Sequence, residues 1–255
     1  MKRLIHWLLN HIPRPLMQRV ASISVPLMGL FYRGRGRECS ICGSHWRRFM
    51  PYGYVVVREE ALCPNCLSLE RHRLLWLWLI LHTNLLSGGL KILHIAPEVS
   101  IMKRLRKICG ADYITADLES PLADMHFDVQ QIPLADNSVD VILCNHILEH
   151  VEDDRLAMRE LKRILKPNGW GVLLVPRDES RETTFEDDTI TDSEERTRIF
   201  GQYDHRRVYG RDYADRLRNE GFVVDVIHYC NELRPIERIY YGVKDETIFR
   251  VSKLG

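Results

Sequence analysis

The chain has 255 residues, 45% hydrophobic and 28% charged, with a formal net charge of +1. That length buries a full core with room for a small second module, and that composition excludes a disordered or fibrous chain. The near-neutral total hides an asymmetry: residues 1–88 hold twelve of the 36 Lys and Arg but four of the 35 Asp and Glu, a balance of +8, against −7 for residues 89–255.

A basic first third suits a polyanion, either nucleic acid or an anionic membrane surface, although Arg33, Arg35, Arg37, Arg47 and Arg48 could equally solvate a small module. Leu4, Ile5, Leu8, Leu9 and Ile12 share one helical face with Lys2 and Arg3 at its edge. Such a helix more often caps a neighbouring domain than lies on a membrane, so peripheral membrane contact is not favoured. His11, Arg14 and Arg19 interrupt any secretion signal, and Val20–Tyr32 is too short to span a bilayer. Pro13 and Pro15 break the helical pattern within this first segment, 1–34.

Two Cys-x-x-Cys pairs come next, Cys39 with Cys42 and Cys63 with Cys66, twenty residues apart. Each pair makes a tight knuckle and the chain between them is long enough for a hairpin, so the four thiolates can close one tetrahedral site. Zinc in a structural role is the expected metal, in a module spanning 35–88. The alternatives are redox pairs or disulfides. A redox Cys-x-x-Cys stands near a βαβ unit, and none surrounds these. Four free thiolates argue for a reducing compartment, hence a cytoplasmic location. Tyr54–Val57 reads as a strand, and Leu67–Leu86 as an apolar helix with Leu74, Leu75, Trp78 and Leu81 on one face. His72 is a spare ligand candidate. Ser87-Gly88-Gly89 ends the helix and marks the boundary to a domain over 89–255. No internal repeat stands out.

From residue 89 strands and helices alternate. Strands are expected at Leu90–Ile95, Asp112–Ala116, Val139–Cys144, Trp170–Val175, Val223–Tyr229 and Thr247–Val251. Helices are expected at Met102–Cys109, Asp154–Leu165 and Asp212–Asn219. The alternation predicts a parallel sheet with helices on both faces and a ligand beyond the carboxyl ends of the strands. Cys109, Cys144 and Cys230 lie in or beside apolar elements and read as buried small side chains.

Three landmarks come in order: Asp128-Val-Gln-Gln-Ile-Pro-Leu, then Asp136-Asn-Ser-Val-Asp-Val-Ile-Leu-Cys144 running into Asn145-His146-Ile-Leu-Glu149-His150-Val, and Leu165-Lys-Pro-Asn-Gly169. With these, residues 89–230 resemble the class I methyltransferases that use S-adenosylmethionine, in particular the ubiquinone-biosynthesis-type group. The resemblance implies a doubly wound, mostly parallel seven-stranded α/β sheet. It also implies that Asp117, followed by Leu118, holds the ribose hydroxyls, that Asp128 and the Val129 amide hold the adenine, and that Asn145 and His146 face the methyl group. The chain departs from the family at its first strand. His94 stands in place of an acid, and Ala96, Pro97 and Glu98 stand where a glycine-rich loop is usual. Glu98 is expected to meet the cofactor ammonium in place of the missing acid, with His94, Ala96 and Pro97 lining the same loop. A decayed, non-catalytic binding protein is the alternative of another class.

Direct methyl displacement needs alignment and, for an oxygen acceptor, a base. His146 and His150 are candidates. So is the segment Tyr203-Asp204-His205-Arg206-Arg207-Val208-Tyr209, in which an Asp204–His205 pair would be the base and Arg207 and Tyr209, with His150, would bind the acceptor. The acceptor itself is not legible. A small molecule, glycan or lipid-linked metabolite is slightly favoured over ribosomal or transfer RNA. The basic zinc module is nonetheless similar to that of bacterial ribosomal-RNA methyltransferases with an amino-terminal zinc knuckle, and Trp46 and Tyr52 are its only candidates for base stacking.

Overall fold

A computed structural model describes residues 25, 27–53 and 57–254. The helix expected at Leu4–Ile12 lies outside these residues, as does most of the strand expected at Tyr54–Val57. Two compact units emerge, Met1–Leu77 with Cys230–Lys244, and Trp78–Tyr229 with Asp245–Gly255. The expected boundary at residue 88 is therefore not where the units divide.

The first unit is built from hairpins. β1 (Arg33–Glu38) pairs antiparallel with β2 (His45–Trp46), and β3 (Met50–Tyr52) with β4 (Arg58–Leu62). The helix Glu70–His82 begins here, shorter than expected, and is buried all round from Arg73 to Leu79. Arg73 explains why residues 230–244 return to this unit. Its guanidinium donates to the carbonyls of Tyr241 at 2.8 Å and Gly242 at 2.6 Å, and to those of Ala61 and Ser68. Gly242 ends the helix Pro235–Tyr241 in the left-handed region, and a Cβ there would collide with the Phe49 ring. No other residue fits.

The second unit holds a seven-stranded sheet. Its strands are β5 (Ile92–Ile95), β6 (Tyr113–Asp117), β7 (Met125–His126), β8 (Val139–Asn145), β9 (Leu165–Leu174), β12 (Val223–Ile227) and β13 (Ile248–Ser252). The short strands β10 (Phe185–Glu186) and β11 (Arg207–Val208) pair with each other in a separate antiparallel ribbon. The order across the main sheet is β12-β13-β9-β8-β5-β6-β7. Pairing is parallel from β7 to β9 and antiparallel from β9 through β13 to β12. The doubly wound, mostly parallel fold is as the sequence predicts. Two strands differ from expectation: β7, two residues long, was not foreseen, and β9 starts at Leu165 rather than after Gly169, with Asn168 taking a φ of 62°.

The helices follow local rules. Asp153 caps Asp154–Ile164 by accepting from the Leu156 amide at 2.9 Å, and Ala157, Met158, Leu161 and Ile164 form its buried stripe. That stripe packs with Leu93, Ile142, Leu173 and Phe249 in one core. Each such large apolar side chain contributes roughly 1.5–3 kcal/mol on burial. The chain runs from β5 outward to β6 and β7, then crosses back to β8 on the other side of β5. Ile95 pairs with Ala116 on one side and Cys144 on the other. Three strand ends, at Ile95, Asp117 and Asn145, therefore stand at one level beside the switch point, where open sheets of this kind take their ligands.

Candidate functional site

The four cysteines converge. One sulfur from each of Cys39, Cys42, Cys63 and Cys66 lies within 4.8 Å of all the others, with Cys39 to Cys66 at 3.5 Å and Cys42 to Cys63 at 3.8 Å. A tetrahedral zinc site with Zn–S of about 2.3 Å has sulfur–sulfur edges of about 3.8 Å. The two knuckles are built alike. The Cys39 carbonyl accepts from Gly43 and its amide donates to Ser44, while the Cys63 carbonyl accepts from Leu67 and its amide donates to Ser68. Gly43 and Leu67 both have positive φ. Ser44 and Ser68 hydroxyls contact Cys42 and Cys66 at 3.3 and 3.2 Å. The sequence signal for this pairing, Cys-x-x-Cys-x-Ser occurring twice, is a short local repeat that the sequence reading missed. Contacts with the other three sulfurs drive the Cys42 thiol far below its ordinary value, and those with Cys39 and Cys42 drive Cys66 far above its own. Such a shared-proton set is what a dication replaces. His72 is no ligand here, because its Nδ1 accepts the Leu69 amide at 3.3 Å.

In the second unit, Glu98 is the centre of the first-strand loop. Its Oε2 lies 2.8 Å from His94 Nε2, and its Oε1 accepts from Asn145 Nδ2 at 3.1 Å. His94 is fully buried, with Nδ1 2.8 Å from the Tyr113 hydroxyl. Burial, then the nearby Glu98 charge, pushes that phenol up, so it stays neutral and donates to Nδ1. His94 thus presents its Nε2 proton to Glu98. Asn145 is buried with its Oδ1 lacking a partner. An ammonium group would supply donors to both Glu98 and that oxygen. Ala96 keeps the left-handed backbone a glycine would favour, at φ 45°, at a cost of about 1–3 kcal/mol.

Asp117 ends β6, and its Oδ1 accepts from the amides of Glu119 and Ser120 at 2.9 and 2.8 Å. Its Oδ2 has no hydrogen bond among the described residues. Leu118 beside it is exposed. Asp128 accepts from the Gln130 amide and side chain, and Gln130 in turn accepts from the Asp153 amide at 2.7 Å. Val129 is buried, and its amide has no partner among the described residues.

The segment after β9 is arranged differently from expectation. Asp204 does not pair with His205. It lies 3.4 Å from His150 Nδ1, while His205 Nδ1 lies 3.1 Å from the Phe200 carbonyl. Burial, reinforced by His150, lowers the His205 pKa and keeps the ring neutral. Arg207 is 3% exposed and gives its donors to the carbonyls of Leu148, Val151 and Glu152 and to Glu186. Tyr209 is fully buried, its hydroxyl bonded to Leu148 O and Asp154. Arg207, with four of its five N–H donors so engaged, and Tyr209 hold the 148–152 loop, and both side chains are buried. Glu149, which sequence reasoning passed over, emerges instead. It is 1% exposed, stands 3.5 Å from His146 Nδ1 and 4.0 Å from His150 Nε2, and leaves Oε2 without a hydrogen bond. His146, half-buried at φ 57°, also contacts Glu246 at 3.4 Å.

Residues 93–173 match the family model described as a methyltransferase domain. Solved structures of similar fold include an S-adenosylmethionine-dependent methyltransferase from Mesorhizobium loti, 15% identical over 70% of this chain and 97% of that one, with a TM-score of 0.48. Geranyl diphosphate C-methyltransferase from Streptomyces coelicolor is 13% identical over 73% of this chain and 80% of that one, at 0.47. No curated protein sequence matches the chain. The matched residues run from β5 to β9 and include Glu98, Asp117, Asp128 and Asn145. Residues 93–173, about a third of the chain, thus carry a methyltransferase domain.

Proposed function

We propose that the protein transfers the methyl group of S-adenosylmethionine to an oxygen or similar nucleophile on a small, glycan or lipid-linked metabolite, with zinc on the four cysteines as a structural ion. The observation that carries the cofactor assignment is Glu98, fixed by His94 and Asn145 at the level of three strand ends. Glu98 and Asn145 Oδ1 would hold the ammonium, Asp117 Oδ2 the ribose, and Asp128 with the Val129 amide the adenine. When bound, the sulfonium supplies an already activated methyl group. The chain then has to orient the acceptor, exclude water and accept a proton. His146 directly follows Asn145, and Glu149, 3.5 Å from its Nδ1, orients the ring toward the acceptor side.

The arginines of the segment after β9 support a metabolite over RNA. Arg177, Arg181, Arg207, Arg211 and Arg216 each pair with a carboxylate, so they offer little to a phosphate backbone. RNA is the second reading, favoured by a different observation. Arg33, Arg35, Arg47 and Arg48 are exposed on or beside the β1–β2 hairpin, with Arg48 5.5 Å over the Tyr32 ring. Methyl-labelled cofactor, incubated with the protein and either total RNA or an RNA-free extract of metabolites and lipids, separates the two. Label in the extract fraction supports the metabolite reading, and label in RNA overturns it.

A further inference from the structure

We propose that Glu149, His150 and His205 form a second metal site, separate from the cysteines, which takes a divalent transition ion such as Zn2+ through one oxygen and two nitrogen donors. One ligand atom from each residue lies within 4.8 Å of the others. A tetrahedral site with bonds of about 2.05 Å needs edges of about 3.4 Å, within reach of side-chain rotation.

The protonation pattern is that of metal-bound histidines. A carbonyl can only accept, so His205 Nδ1 carries a proton for Phe200 O and its Nε2 keeps a lone pair. His150 Nδ1 faces the Asp204 carboxylate, which is itself held by Gln202 Nε2 at 2.9 Å. That leaves His150 Nε2 on the side of Glu149. A ring nitrogen anchored on an oxygen acceptor, with its partner nitrogen pointed at a carboxylate, is the usual outer support of a ligating histidine. The two rings pack edge to face, with centroids 4.7 Å apart.

Glu149 supplies the independent observation. Its carboxylate is 1% exposed, and Oε2 makes no hydrogen bond. A buried acceptor without a donor is costly, and a cation answers it. The backbone around it is fixed in advance. The Arg206 amide donates to the Glu149 carbonyl at 2.9 Å, and Arg207 ties down Leu148, Val151 and Glu152. Imidazole nitrogens select zinc-like ions over Mg2+ or Ca2+, and three protein ligands leave a position open for water or an acceptor oxygen.

The test uses full-length protein, purified with its cysteine site filled by zinc and titrated with Co2+ alone. The wild type should take up one further equivalent, with weak visible bands and no thiolate charge-transfer absorption. Glu149→Gln and His205→Gln should each weaken that uptake more than about 100-fold, and Asp204→Asn, acting through His150, by about 10–100-fold. His150→Gln serves as a further ligand variant should either of the first two fail to fold. The proposal is overturned if wild-type protein takes up no cobalt beyond any that shows thiolate bands, or if the folded ligand variants bind Co2+ as the wild type does. Neither result depends on which acceptor the enzyme methylates.

Discussion

Asn145 Nδ2 donates to Glu98 Oε1 at 3.1 Å, joining the last residue of β8 to the loop that follows β5. The parallel register that levels Ile95 with Cys144 brings the two side chains together. Replacing Asn145 by Leu removes the donor and leaves the carboxylate held by His94 alone. Affinity for S-adenosylhomocysteine should fall by about 1–3 kcal/mol, roughly 5- to 150-fold by calorimetric titration. Unchanged affinity would place the cofactor elsewhere.

Tyr209 and Asp154 answer a structural need. Tyr209→Phe should cost about 1 kcal/mol in urea unfolding while leaving the KM for both substrates unaltered. Asp154→Asn is expected to be much worse, at about 3–5 kcal/mol. It strips the charge that Arg216 meets through two hydrogen bonds at 2.7 and 2.6 Å in a nearly closed site. A large KM change in Tyr209→Phe at full stability would restore the acceptor-binding role.

The first unit depends on a cation beside its sulfurs. Arg73 is fully buried, lies 3.9 Å over the Phe49 ring and donates to four carbonyls. Arg73→Lys keeps the charge but loses the planar fork, so several carbonyls go unpaired. Denaturation of this unit should come about 3 kcal/mol earlier. Cys63→Ser should lose zinc outright by elemental analysis. Full metal retention in Cys63→Ser would remove the four-cysteine assignment.

Acid sensitivity should be traceable to Glu160. Hydrogen bonds from Arg163 hold its carboxyl below the ordinary value of 4.5, helped by the Ile132 amide. Because the folded-state pKa is depressed, the stabilisation is present in full above the unfolded value and is lost as pH falls through the folded one. Glu160→Gln should therefore lower stability at neutral pH, and the gap to wild type should close below about pH 4.5. A gap that persists in acid would show that the effect is packing rather than charge.

The strands were legible because β-branched and apolar runs are a local signal, and the cysteines because metal spacing is. Met125–His126 is too short to carry periodicity. The return of residues 230–244 left no apolar pattern either, since Arg73 captures them through backbone carbonyls. Arg207 and Tyr209 looked like ligand-facing groups because their chemistry is visible in sequence and their burial is not. Glu149 was passed over for the converse reason. Its partner His205 lies far along the chain, and only the fold brings the two together.

The proposed cofactor site rests on the Glu98 carboxylate. Calorimetric titration of S-adenosylhomocysteine into wild-type protein and into Glu98→Gln tests that role most directly. Wild type should bind one equivalent, and Glu98→Gln, folded and with its zinc in place, should bind about 1–3 kcal/mol more weakly. Equal affinity in the two proteins, or no binding by the wild type, would contradict it.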